Sequence, residues 1–112
     1  MLTWPTSLRI FVCCEATDLR CSFDRLAGLA RQVFGADPLS GHLFVFFNRA
    51  ADRVKILFWD RSGLCLFYKR LERGTFRRPA ASGELAGADL TLILEGIDLA
   101  GAKRRPRFEP AR

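Results

Sequence analysis

Three short apolar runs, Leu43–Phe47, Val54–Trp59 and Leu64–Leu71, follow one another across only two brief polar breaks. All three are rich in branched and aromatic residues, and each has strand length rather than helix length. The breaks are Asn48–Arg53 and Asp60-Arg61-Ser62-Gly63. Connections this short allow only antiparallel neighbours, so the pattern predicts a three-strand meander. In the second break, an Asp opening a type I turn and a Gly closing it in left-handed conformation would complete a hairpin. Alternation puts Val54, Ile56 and Phe58 on one face and Leu57 and Trp59 on the other; Leu64, Leu66 and Tyr68 oppose Cys65 and Phe67. Both faces are apolar, so both must be covered. Two short helices cover roughly one face, which points to a loop, an N-terminal strand or another protein for the rest.

The flanking segments supply those helices. Leu8–Cys13 reads as a strand and Glu15–Arg20 as a loop. Ser22 stands where an N-cap belongs, with Asp24 in the first turn, where a carboxylate suits the helix dipole. Phe23, Leu26, Ala27, Ala30, Val33 and Phe34 then recur at helical spacing. Gly35 ends this helix over 22–34 and Pro38 prevents its resumption. After Gly74 and Pro79, Ser82 is a candidate cap for a second helix over 84–95, with Leu85, Ala88, Leu92 and Ile93 inward and Gly96 as its stop. The expected fold is therefore α+β: a small, mostly antiparallel sheet with two helices. Residues 1–102 form one domain, and the basic segment 103–112, with two prolines, reads as a flexible tail.

Of 112 residues, 49% are apolar and 27% charged, an ordinary globular balance. The longest unbroken apolar runs, Ile10–Cys14, Leu43–Phe47 and Leu64–Tyr68, have five residues, far short of the roughly 20 of a membrane helix. The first residues lack the basic start and apolar stretch of a secretory signal. A cytoplasmic protein without membrane contact is expected. Cys13, Cys14, Cys21 and Cys65 form no CxxC pair, and adjacent Cys13 and Cys14 would point to opposite faces of a strand. With His42, the sole histidine, they do not match zinc-site spacing. Cys13 and Cys65 read as small core residues. Asp18, Asp24, Asp52 and Asp60 each have a local role in a cap, turn or loop, so no acidic metal site is expected. No phosphate loop or nucleophile–base set is visible. The sequence thus predicts a protein that is not an enzyme and takes no cofactor.

The net charge of +6 is unevenly spread. Residues 1–48 are neutral. Residues 49–78 carry nine bases (Arg49, Arg53, Lys55, Arg61, Lys69, Arg70, Arg73, Arg77 and Arg78) against three acids, a net +6. Residues 79–102 hold four acids and no base; residues 103–112 hold five bases, among them Lys103, Arg104, Arg105 and Arg107, and one acid. Arginine supplies 15 of the 18 bases, and its fork grips phosphate or carboxylate bidentately. Clustered bases point to a polyanion. Aromatics lie among them at Trp59, Phe67 and Tyr68, although Phe67 and Trp59 read better as core. In an antiparallel order, the 48–53 loop and the 70–78 segment fall at the same end of the sheet. Arg49, Arg53, Lys55, Lys69, Arg70, Arg73, Arg77 and Arg78 are thus the candidate nucleic-acid contacts, with Lys103, Arg104, Arg105 and Arg107 as an added arm.

Residues 37–76, DPLSGHLFVFFNRAADRVKILFWDRSGLCLFYKRLERGTF, closely resemble the signature of the accessory proteins encoded by the second open reading frame of insertion sequence 66 elements, often called TnpB. ATDLRCSFDRLAGL at 16–29 and LEGIDLAGAKRRPRF at 94–108 are similar to further stretches of that family. Cys21 stands where the family usually has Lys or Arg, Arg25 where it usually has Gly, and Pro106 interrupts the closing basic run. The resemblance implies a bacterial protein required for transposition beside a separate, element-encoded transposase, with no catalysis of its own. Its implied partners are that transposase and transposon-end DNA; the alternative is a transposase-binding scaffold or homo-oligomer with no nucleic-acid contact.

Overall fold

A computed structural model describes residues 7–95 and the backbone of 97–98 and 103–104. Five strands, β1 (Ile10–Ala16), β2 (Leu43–Phe47), β3 (Arg53–Trp59), β4 (Leu64–Arg70) and β5 (Gly83–Leu85), form one sheet in the order β4-β3-β2-β1-β5. Only the β1–β2 pair is parallel; the other three are antiparallel. Helix α1 (Phe23–Phe34) makes the crossover that a parallel pair requires. Helix α2 (Gly87–Leu94) follows β5. Two-residue strands β6 (Ile97–Asp98) and β7 (Lys103–Arg104) pair with each other. The basic segment read as a tail from Lys103 thus starts with two paired residues, and 105–112 lie outside the described residues, as does Gly96.

The sheet has one helix on each face. On one side Leu26, Ala27 and Ala30 of α1 bury against Cys13, Phe44, Phe46 and Leu57. On the other, Leu90, Ile93 and Leu94 of α2 join Ile10, Val12, Val45, Phe47, Val54 and Ile56, with Phe76 closing the gap. Phe76 reaches Phe47 at a ring separation of 5.7 Å. β2 is buried at all five positions, as a strand between two covered faces must be. The apolar surplus that suggested an outside partner is therefore covered largely within the chain.

Several local expectations are corrected. The first strand runs Ile10–Ala16 and not Leu8–Cys13. Residues 83–85 are strand rather than helix, because they pair with the open edge of β1, Ile10 opposite Leu85. Here tertiary pairing outweighs local preference. Ser82 caps no helix; its hydroxyl accepts the Cys14 N–H at 2.8 Å, and Ala86 holds the N-cap position. Ser22 occupies the α1 N-cap, but its side chain makes no capping bond. Phe23 and Val33, at the two ends of α1, stay about two-fifths exposed. Gly35 does end α1: it takes φ 61° and donates its N–H to the Arg31 carbonyl at 2.9 Å.

β3 and β4 pair around Asp60–Gly63, with Trp59 opposite Leu64. The turn differs from the expected one, since Arg61 and not Gly63 has the positive φ, 87°. A positive φ at the first central residue belongs to the II′ hairpin, whose twist matches the strands. The Asp60 carboxylate holds it by accepting the N–H groups of Ser62 and Gly63 at 3.3 and 3.1 Å.

Candidate nucleic-acid interface

At the opposite end of β3, three connections converge. The Thr17 N–H bonds the Phe47 carbonyl at 2.8 Å, bringing the segment after β1 beside the end of β2. In the β2–β3 connection, Asn48 donates through Nδ2 to Asp52 at 2.7 Å and accepts the Arg53 N–H at 3.0 Å. Ala51 adopts φ 57° there. The chain leaving β4 is fastened on top: the Leu71 N–H reaches the Asp52 carbonyl at 2.7 Å and the Phe76 N–H the Ala51 carbonyl at 2.6 Å. The 48–52 and 71–76 segments are thus joined by backbone bonds.

An open groove of about 960 Å³ lies in this end of the α1 face. Four cations line it, Arg20, Arg49, Arg53 and Lys55, against two carboxylates, Asp18 and Asp52. Both carboxylates are already engaged. Asp18 takes the Arg20 guanidinium at 2.8 Å, and that hydrogen bond is the main reason its carboxyl falls to about 2. Asp52 takes Asn48. Arg53 donates to the Tyr68 hydroxyl at 3.1 Å. Lys55 is only 8% exposed; its Nζ donates to the Cys21 carbonyl at 3.0 Å and lies 4.8 Å from the Tyr68 ring centre. Among the described residues, Arg49, Arg53 and Lys55 enter no salt bridge. A smaller depression beside the groove is lined by Arg53, Tyr68, Arg70 and Glu72. Arg70 pairs with Glu72 at 2.8 Å, which raises its pKa further.

The candidate contacts therefore divide. Arg49, Arg53 and Lys55 share the groove, and Arg70, opposite Arg53 in the ladder, borders it. Lys69 does not join them. As the neighbour of Tyr68 and Arg70 on a strand it points to the other face, where its Nζ donates to the Leu94 carbonyl at 2.7 Å. A cation there complements the C-terminal end of the α2 dipole. Arg73 is exposed in the turn after β4, and Arg77 and Arg78 follow the buried Phe76. Lys103 and Arg104 are described only as backbone, and Arg105 and Arg107 lie outside the described residues.

Two groove residues were not among the candidates, Arg20 and Tyr68. Arg20 lies 29 positions before Arg49, and only the parallel crossover brings the two together. Tyr68 was visible as an aromatic among bases; its 49% exposure separates it from half-buried Phe67 and Trp59.

The chemistry available is that of anion binding. The groove's guanidinium and ammonium groups are donors without acceptors, and it holds no histidine. His42 lies elsewhere, accepting the Arg9 N–H at 3.0 Å through Nδ1. Among the described residues, no group of three or more His, Cys, Asp or Glu is arranged to hold a metal ion, and no helix is long and apolar enough to cross a membrane.

The sequence model of the family described as IS66 Orf2 like protein matches residues 8–104, which include both walls of the groove. Two Sinorhizobium fredii (strain NBRC 101917 / NGR234) proteins are similar over most of their length. Uncharacterized protein y4hO is 40% identical over 101 residues, 88% of each chain. Uncharacterized protein y4jC is 32% identical over 108 residues, 94% of this chain and 92% of that one. No solved structure matches significantly. With a family match across nearly all of the described residues, and relatives matched almost end to end, this chain belongs to the IS66 Orf2-like family.

Proposed function

We propose that this protein is a non-catalytic accessory factor for transposition of an insertion sequence 66-type element, acting in the cytoplasm beside the element's transposase, and that it contributes by holding transposon DNA. The carrying observation is the fastening of the 48–52 and 71–76 segments, which gathers Arg49, Arg53, Arg70 and Arg73 at one end of the sheet beside Arg20 and Lys55. Such a surface contacts phosphates, and it contains no element shaped to read bases in a groove. Association should be fast and strongly salt-dependent.

A gel-shift salt titration with transposon-end duplex DNA tests this, with and without the transposase. If about six bases meet phosphates, affinity falls with salt at a log–log slope of about −5. Replacing Arg49, Arg53, Arg73 and Arg78 with Gln flattens that slope by about three to four units. Binding that is absent at low salt, or that ignores these substitutions, leaves only the scaffold role. Retention of the protein on immobilised transposase without DNA would support that role.

A further inference from the structure

We propose that the groove takes single-stranded DNA, with one base stacked on Tyr68 and the adjoining phosphates held by Arg49, Arg53 and Lys55. The proposal rests on the nucleic-acid reading above and assigns it a site and a strand state.

Three observations point there. The first is Lys55. Burying an ammonium is costly unless a counter-charge accompanies it. Lys55 is 92% buried from its 8% exposure, it lines the groove, and among the described residues no carboxylate pairs with it. A carbonyl and a ring face meet its protons, but its net charge is left for an incoming anion to neutralise. The second is Tyr68. It is the one aromatic in the groove lining, and it is half exposed on a strand whose neighbouring aromatic, Phe67, packs into the core. An exposed ring among cations is the usual platform for an unpaired base. The third is continuity. Tyr68 and Arg53 line both the groove and the smaller depression holding Arg70. A strand crossing from one to the other passes Tyr68 with the Arg53 guanidinium, which pairs with no carboxylate among the described residues, beside it. The Arg53–Tyr68 hydrogen bond fixes both groups before DNA arrives, which lowers the ordering cost of binding. In a duplex the bases are stacked on each other, and Tyr68 has nothing to stack on.

The test is fluorescence anisotropy with oligothymidylate of about twelve nucleotides and with a duplex of equal length, at matched salt. Tyr68→Ala should weaken the single strand about tenfold and the duplex less than twofold. Tyr68→Phe, which keeps the ring, should stay within about threefold of the parent for both. Circular dichroism of each variant separates lost stacking from lost folding. In the unaltered protein, ultraviolet cross-linking to an oligonucleotide carrying 5-iododeoxyuridine should map to Tyr68, a readout that does not depend on how the variants fold. Equal loss for single strand and duplex on Tyr68→Ala, or cross-links confined to other peptides, overturns this proposal while duplex binding leaves the DNA reading standing. Absence of binding to both nucleic acids at low salt overturns the DNA reading and this proposal together.

Discussion

The two faces of this sheet have the same ingredients and different outcomes. Each receives one helix and one lysine, Lys55 from β3 and Lys69 from β4. On the α2 face, Phe76 and Leu71 complete what the helix leaves open, and Lys69 reaches the end of α2 to bond the Leu94 carbonyl. On the α1 face, the helix stops short of the end where β1, β2 and β3 meet their loops. Lys55 there bonds one carbonyl and faces a groove lined by three arginines. One face has used its charge for internal structure; the other holds charge that the fold itself does not neutralise. The contrast shows that a basic residue's position on the pleat, and not its place in a basic run, decides whether it is available to a ligand. Lys69 and Arg70 are adjacent in sequence and serve opposite faces.

The largest effect should come from opening the closed face. Phe47 is fully buried and packs on Phe76, so Phe47→Ala should cost about 3–5 kcal/mol in urea unfolding. A loss near 1 kcal/mol would mean that the α2 face is loosely closed, and the comparison would weaken. The two lysines sharpen it more directly. Lys69→Met should cost about 1 kcal/mol through the lost bond at the α2 end and leave the salt dependence of DNA binding unchanged. Lys55→Met should leave stability within about 1 kcal/mol and flatten the salt slope by about one unit. Reversed outcomes would exchange the roles assigned to the two faces.

A smaller effect belongs to the hairpin far from the groove. Arg61 carries φ 87° with a side chain, so Arg61→Gly should raise stability by about 0.5–1 kcal/mol without altering DNA affinity. The smallest concerns pH. Asp18 is depressed from 3.8 to about 2, so its pairing with Arg20 favours the fold above the ordinary carboxylate range and is lost as pH falls from about 3.8 through about 2. The pair is exposed, and salt and solvent keep its effect slight. A carbon-detected NMR titration should place the Asp18 carboxyl near 2 and return it toward 3.8 in Arg20→Gln. DNA affinity should stay level from pH 5 to 8, since the groove lining contains no histidine.

Much of the architecture is legible in the chain. The apolar runs that become β2, β3 and β4 declare themselves by length and alternation, and Gly35 marks the end of α1 to the residue. Strand β5 was hidden because Gly83-Glu84-Leu85 has no strand pattern of its own; it is strand only because β1 offers an unpaired edge. The groove was half legible. Arg49, Arg53, Lys55 and Arg70 stood out as a basic block, but Lys69 stood out equally and does not belong, and Arg20 belongs without standing out.

By itself, the sequence determined the local and periodic facts: which runs extend, where α1 stops, that both sheet faces are apolar, and that an excess of arginine follows β2. These depend on neighbours one to four residues apart, whose spacing is written in the chain. Only the tertiary structure decided which cations share a surface and which have a partner. That depends on the parallel β1–β2 crossover bringing Arg20 to Arg49, on the 71–76 segment folding back over the 48–52 loop, and on α2 presenting its last carbonyls to Lys69. A charge is neutralised by whatever lies within a few ångströms in space, and separation along the chain does not encode that distance.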